Sequence, residues 1–202
     1  SEMSGGAKNI YISNCTFIGT DIGLRFKTVR GRGGMVENIY ASNINMKDIV
    51  GEAILFDMYY AAVDPIKTNN EEGAKSVVEK FPVTEATPQF QHFYFDNIIC
   101  NGASKALFVR GLPEMHIKDI NINGLHIKSR QGVQIEEATG VRLKNATIQT
   151  VMPGPIVELS NAEQVEIDTI ALKKLTPVAS NLAEKFAATA MHIWPDSFSV
   201  KP

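Results

Sequence analysis

One eight-residue pattern constrains this chain more than any other feature. The box apolar-x-apolar-x-(Asn, Asp or Thr)-apolar-x-apolar recurs as IYISNCTF at 10–17, IYASNINM at 39–46, FYFDNIIC at 93–100, MHIKDINI at 115–122, VRLKNATI at 141–148 and VEIDTIAL at 165–172. Ala41 and Ala146 are the smallest occupants of its apolar slots. Each box holds two short runs of period 2, broken by one polar residue that shifts the phase, so it reads as two strands meeting at a sharp bend. Asparagine suits such a bend because it tolerates the left-handed backbone region. The bend residues are then Asn14, Asn43, Asn97, Asp119, Asn145 and Thr169, and stacked asparagines at equivalent bends can bond to one another as a ladder.

A third strand follows most boxes: GLRFK at 23–27, AILFDM at 53–58, ALFVRG at 106–111, GVQIEE at 132–137 and PIVELS at 155–160. Three short strands per repeat, with box starts 22 to 29 residues apart in all but one interval, predict an all-β chain wound as a right-handed parallel β-helix. The competing architecture, an antiparallel sandwich, needs tight hairpin turns. The Asn-Gly pairs at 101–102 and 123–124 do not sit between two equal strands. The long interval, 39 to 93, is filled by an extra coil or by an insertion at 61–91, and the polar, breaker-rich DPIKTNNEEGAKSVVEKFPVTEATPQ favours the insertion, with room for one short helix. At the other end, Ser180 or Asn181 is placed to cap a short helix running to 190 that would cover the last coil.

The composition suits one such domain, 1–202. The 202 residues are 44% hydrophobic and 21% charged, with a formal net charge of −2. That balance excludes a disordered chain and a general nucleic-acid binder. No apolar run approaches a membrane span, and no signal peptide is seen in this chain. Cys15 and Cys100 fall at apolar strand positions and read as two buried thiols rather than a disulfide.

Against the negative net charge, GLRFKTVRGRGG at 23–34 gathers four cations. Leu24 and Phe26 alternate with Arg25 and Lys27, so the strand has one apolar face and one cationic face, and Arg30 and Arg32 follow in a glycine-rich loop. Arg25 and Lys27 would project together about 6–7 Å apart. Arginine grips a carboxylate with two parallel hydrogen bonds and lysine adds a movable point charge, which suits a uronate. A solvated strand face paired to Asp57 is the other reading of the same spacing. Arg30 and Arg32 either contact a neighbouring acidic group or keep the loop solvated. Arg110 extends the cationic flank or pairs with Glu114 or Asp57. His92, His116, His126 and His192 have no metal-ligand spacing and read as surface residues, so neither a metal nor a cofactor is expected. The GRGG segment lacks the Lys-Ser/Thr ending of a phosphate loop.

The segment SEMSGGAKNIYISNCTF, followed by GTD, GLRFK, RGRGG and VENI, resembles the middle of glycoside hydrolase family 28, the polygalacturonase-like enzymes, which are right-handed parallel β-helices. The family carries an Arg-Ile-Lys tripeptide, matched here by Arg25-Phe26-Lys27, and often an Arg-Gly-Arg-Gly-Gly loop, matched by 30–34. AILFDMYY at 53–60 is similar to the family's strand ending in a substrate-contacting tyrosine, which implies Tyr60, with Tyr59 as the alternative. GLPEMHIKDI at 111–120 adds to the match. The resemblance implies a substrate-binding role for Arg25, Lys27, Tyr60, Arg30 and Arg32, and inverting hydrolysis of pectin-type galacturonic-acid polymers by the whole enzyme. The family's Asn-Thr-Asp, Asp-Asp and Gly-His-Gly segments lie before the matched region and do not occur here. The chain therefore reads as the C-terminal half of such an enzyme, without the catalytic aspartates. Asp21 and Asp57 are poor substitutes, because adjacent cations lower a carboxyl pKa where a general acid needs it raised. By the same resemblance the partner is an acidic polysaccharide, with no nucleic acid and no membrane, and the location is secreted or periplasmic. A solenoid opened at its first coil also favours self-association through the N-terminal end. The rival readings are a non-catalytic binding β-helix for acidic polysaccharide and a polysaccharide lyase. The lyase is weakest, since it calls for a calcium-binding carboxylate cluster beside a basic residue.

Overall fold

Alternation of β-branched and aromatic residues with polar ones produces ten strands among the described residues, all joined in one sheet. The computed structural model describes residues 5–59 and 79–175. The strands are β1 (Gly6–Ile18), β2 (Leu24–Lys27), β3 (Met35–Lys47), β4 (Glu52–Asp57), β5 (Gln89–Asn101), β6 (Lys105–Arg110), β7 (Ile117–Ser129), β8 (Gln131–Thr150), β9 (Val157–Glu163) and β10 (Glu166–Lys174). Every named pairing is parallel: β1-β3-β5-β7-β8-β10 stack as one series and β2-β4-β6-β8-β9 as a second. Long strands alternating with short ones, each pairing with its equivalent one coil away, make a parallel β-helix.

The long strands bend at two columns of left-handed residues. The first column holds Asn9, Asn38, His92, Asp119 and Gly140; the second, five positions later in each coil, holds Asn14, Asn43, Asn97, Gly124 and Asn145. Their φ values run from 52° to 60° apart from the two glycines, at 71° and 76°. The expected asparagine ladder is present. Asn43 donates to Asn14 at 3.1 Å, Asn97 donates to Asn43 at 2.9 Å, and Asn38 donates to Asn9 at 3.1 Å in the other column.

The fourth box needs a correction. Ile120 lies opposite Phe93 and Val141, so the equivalent segment is ININGLHI at 120–127, and its bend is Gly124. Asp119 bends the chain in the first column, beside His92. The segment at 115–122 carries the same pattern because both bends are flanked by apolar-x-apolar pairs.

Inward residues of successive coils form the core: Ile39, Phe93, Ile120 and Val141 along one face, and Leu24, Ile54, Leu107 and Val133 along the third-strand face. Phe26 stacks on Phe56 at 4.8 Å and meets the edge of Phe93 at 5.1 Å. Cys15 and Cys100 are free thiols. Cys100 is buried as expected, and burial, with Asp48 adding to it, pushes its thiol up to about 12, whereas Cys15 is only half-buried.

The third strands return to the long strands through connections of unequal length: residues 28–34 after β2, the much longer 58–88 after β4, 111–116 after β6, and the single left-handed residue Glu137 inside β8. β3 pairs directly with β5, and β4 with β6, so no coil stands between them, and β5 already begins at Gln89. Tyr60, residues 61–78 of the insertion proposed at 61–91 and the proposed C-terminal helix lie outside the described residues. No helix of the described residues is long and apolar enough to cross a membrane.

Candidate functional site

β2 presents its cations as its alternation requires. Leu24 is buried and Phe26 packs against the core, so Arg25 and Lys27 take the outward positions. The in-register neighbours extend two outward columns over the stacked third strands. One runs Arg25, Leu55, Phe108, Gln134, Glu158; the other runs Lys27, Asp57, Arg110, Glu136, Ser160. The second column alternates in sign through four coils.

Asp57 is the acceptor at the centre of that column. Arg110 places both Nε and Nη2 at 3.0 Å from its Oδ1, and the Tyr59 amide donates to the same oxygen at 3.0 Å. Of the two partners considered for Arg110, the structure selects Asp57. Arg25 reaches Asp21 at 3.7 Å, both exposed, a geometry that contributes little stability and yields readily to a ligand. The cavity beside Lys27 measures about 30 Å³, room for about one water. Further along, Lys105 hydrogen-bonds Gln134 and lies 4.4 Å over the Phe108 ring, and burial holds its pKa below the usual lysine range.

Arg30 is locked in place. Its Nε and Nη2 make a two-pronged bond to Glu114, at 2.6 and 3.0 Å, and the Glu114 side chain is only 1% exposed. The hydrogen bond that Arg30 donates to Glu114 raises the Arg30 pKa. Burial alone would raise that of Glu114, but Arg30 and nearby backbone amides outweigh it and hold the carboxyl below its usual range. The Arg30 guanidinium also lies 4.8 Å from the Phe81 ring and 5.1 Å from the Tyr59 ring, and Arg110 stands 5.1 Å from the Tyr59 ring as well. Tyr59 is 5% exposed, and burial raises its pKa. An antiparallel bridge from Val29 to Tyr59 completes the junction. The connections after β2, β4 and β6 are thus tied together by Arg30, Tyr59, Phe81, Arg110 and Glu114.

Arg32 lies half-buried in a loop that is pinned rather than free. The amides of Gly31 and Gly33 both donate to the Ala86 carbonyl, at 3.0 and 2.9 Å. Gly31, Gly33 and Gly34 have φ of 91°, 58° and 75°, and a Cβ on Gly33 would meet the Glu85 carbonyl at 2.3 Å. The glycines of GRGG therefore serve a backbone fold against residues 84–87.

Sequence reasoning missed a second junction. His116, expected at the surface, has Nε2 3.2 Å from Glu137 and Nδ1 2.9 Å from the Thr139 hydroxyl, with the His116 and Glu137 side chains both largely buried. Asn161 also donates to Glu137. His92 sits 3.2 Å from Asp119 across the first bend column. Each pair joins residues brought together only by the winding, so nothing local in the sequence marks them. Among the described residues no His, Cys, Asp or Glu group is arranged to hold a metal ion.

Residues 3–97, which carry β1 to β4 and much of β5, match the model of glycosyl hydrolases family 28. The polygalacturonase of Gossypium hirsutum is 32% identical over 140 residues, 67% of this chain and 32% of the relative. That of Gossypium barbadense is 32% identical over 136 residues, 65% and 31%, and a probable polygalacturonase of Vitis vinifera is 25% identical over 186 residues, 86% and 35%. The chain spans about a third of the length of these curated relatives. No solved structure is a significant match. With a parallel β-helix whose cationic strand falls inside the matched segment, the chain belongs with the polygalacturonase-like glycosyl hydrolases of family 28.

Proposed function

We propose that this chain forms the substrate-binding C-terminal portion of an inverting hydrolase acting on galacturonic-acid polymers such as pectin, in a secreted or periplasmic setting. The observation that carries the reading is the outward pair Arg25 and Lys27, fixed by the inward Leu24 and Phe26 on a strand of the family-matched segment. Arg25 receives a uronate carboxylate from its outward position, and Lys27 adds charge from the next outward position. Tyr60, assigned here by the family resemblance, lies outside the described residues and directly follows Tyr59, whose ring is clamped between guanidiniums. Arg30, committed to Glu114, serves by holding the junction, and Arg32 supplies charge at the rim. The two carboxylates that move protons in inversion are supplied by sequence outside this chain. Asp57, gathering three donors on one oxygen, acts as a structural acceptor.

The test is a binding titration with oligogalacturonate, paired with an assay of reducing-sugar release. The isolated chain should release none, and its binding should weaken with salt, because the charges involved are exposed. Arg25→Ala should weaken binding more than Arg32→Ala. Equal losses would reduce the pair to general charge, and sugar release above a heat-killed control from pure protein would place the proton-transfer groups in this chain after all.

A further inference from the structure

The middle segment of each coil, between the two bend columns, carries a second outward surface. In register across successive coils, one column reads Tyr11, Tyr40, Tyr94, Asn121, Arg142 and the adjacent one reads Ser13, Ser42, Asp96, Asn123, Lys144. The tyrosines stack face to face, at 4.7 Å and 5° for the first pair and 5.2 Å and 13° for the second. The stack then stops. The next rung is the short Asn121, and Tyr94 remains 40% exposed. Past that step lies an open groove of about 470 Å³, lined by Tyr40, Tyr94, Asp96, Asn123, Arg142 and Lys144 among others. That volume lies within the ~300–1,000 Å³ of small-molecule sites, and the groove spans about 14 Å, three inter-strand steps along the solenoid.

We propose that this groove is a second glycan site, separate from the third-strand face, which holds an acidic pyranose oligomer. A ring stacked on the uncovered side of Tyr94 continues the aromatic column in place of the missing side chain at Asn121, since a pyranose offers an apolar CH face to an aromatic one. Ser42 provides a hydroxyl partner for sugar hydroxyls, and Asp96, which accepts from Asn123 at 2.7 Å through Oδ1, keeps its second carboxylate oxygen for another. A carboxylate on the next sugar meets Arg142 and Lys144. Among the described residues Arg142 is held there by a 3.7 Å contact to exposed Glu166 and a 3.4 Å bond to Asn121, both long enough to yield to a ligand at little cost. Structural stacking alone accounts for the Tyr40 contacts but not for a step that leaves aromatic surface open beside two cations. The acidic class of the ligand rests on the function proposed above; the groove does not.

The experiment titrates the full chain with trigalacturonate and with neutral galactotriose, following chemical shifts and stoichiometry, for the wild type and for Tyr94→Ala, Lys144→Gln and Arg25→Ala. The expected result is trigalacturonate binding with shift changes at Tyr94, Asn121 and Lys144 that persist in Arg25→Ala. Affinity at this site should fall about three- to tenfold in Tyr94→Ala. It should also fall in Lys144→Gln, which leaves the stack intact and guards against misfolding of the tyrosine variant. Binding that vanishes in Arg25→Ala and is unchanged in Tyr94→Ala and Lys144→Gln overturns the proposal while sparing the third-strand site. Groove shifts without any at Arg25 do the reverse. Galactotriose binding as tightly as trigalacturonate overturns the acidic assignment, and no binding by either sugar overturns both sites.

Discussion

At Glu114, a carboxylate almost sealed from solvent faces a guanidinium through two hydrogen bonds, and the consequence is a pH dependence of stability with a definite sign. The folded carboxyl is held below its usual range, despite burial, by Arg30. A depressed carboxyl stabilises the fold at pH values above its unfolded pKa of about 4.3, and that contribution is lost as pH falls through the lower folded value. Glu114→Gln should therefore cost about 2–4 kcal/mol at neutral pH, where Arg30 is left without its partner. It should also flatten the fall in stability between neutral and acid pH. Chemical denaturation of both proteins at pH 7 and pH 4 checks this, and an unchanged acid slope would remove Glu114 from the account. Tracing the site from sequence failed here for a physical reason. Arg25 and Lys27 were legible because period-2 alternation fixes their side of a strand, whereas Arg30 and Glu114 are 84 residues apart and meet only because three connections fold onto one flank. The same flank buries Tyr59 between two arginines, a setting that the resemblance pointing to Tyr60 did not register.

At the scale of the strand, the bend columns govern both what was readable and what can be engineered. The two columns recur five positions apart, and each bend is flanked by inward-outward-inward runs, so a pattern search finds the right period but can lock onto either column. It did so at 115–122, where Asp119 looked like a rung of the column that Gly124 occupies. Gly124 breaks the asparagine ladder: with no side chain there, Asn145 reaches instead to Asn123 at 2.8 Å. The backbone at Gly124 has φ 71°, and an added Cβ would meet the neighbouring Asn97 backbone at an ordinary 3.4 Å. Gly124→Asn therefore fits both the space and a conformation that asparagine adopts readily. It should stabilise the protein by about 0.5–1 kcal/mol, through a less flexible unfolded chain and a restored rung between Asn97 and Asn145. Gly124→Val should destabilise it, since a β-branched residue is strained at positive φ. Thermal melts of the two variants decide the matter, and a glycine-to-asparagine change that lowers the melting temperature would show that the break in the ladder is itself favourable.

For the whole molecule, the winding decides which surfaces meet solvent, and the first coil leaves core-type side chains uncovered. β1 pairs with β3 and with no other described strand. Ile10 belongs to the inward column that buries Ile39 and Phe93 to 1% and 0%, yet it is itself 40% exposed, and Tyr11 beside it is 74% exposed. A strand with one free edge and uncovered core side chains is a template for pairing with another copy. We expect this chain in isolation to associate through β1, with the weight-average mass rising with concentration in sedimentation experiments and with β1 amides exchanging more slowly as it does. Ile10→Lys puts a charge at the inward position of that edge and should shift the equilibrium toward monomer, while Lys144→Gln, on a distant coil, should leave it unchanged. Exposed edges of this kind are controlled in many sheets by such inward charges, and this β1 has none among its inward residues Ile10, Ile12, Cys15 and Phe17. A chain that stays monomeric at all concentrations while its β1 amides are as protected as those of β3 would show that the first coil is stable with its edge open, and the association would have to be abandoned.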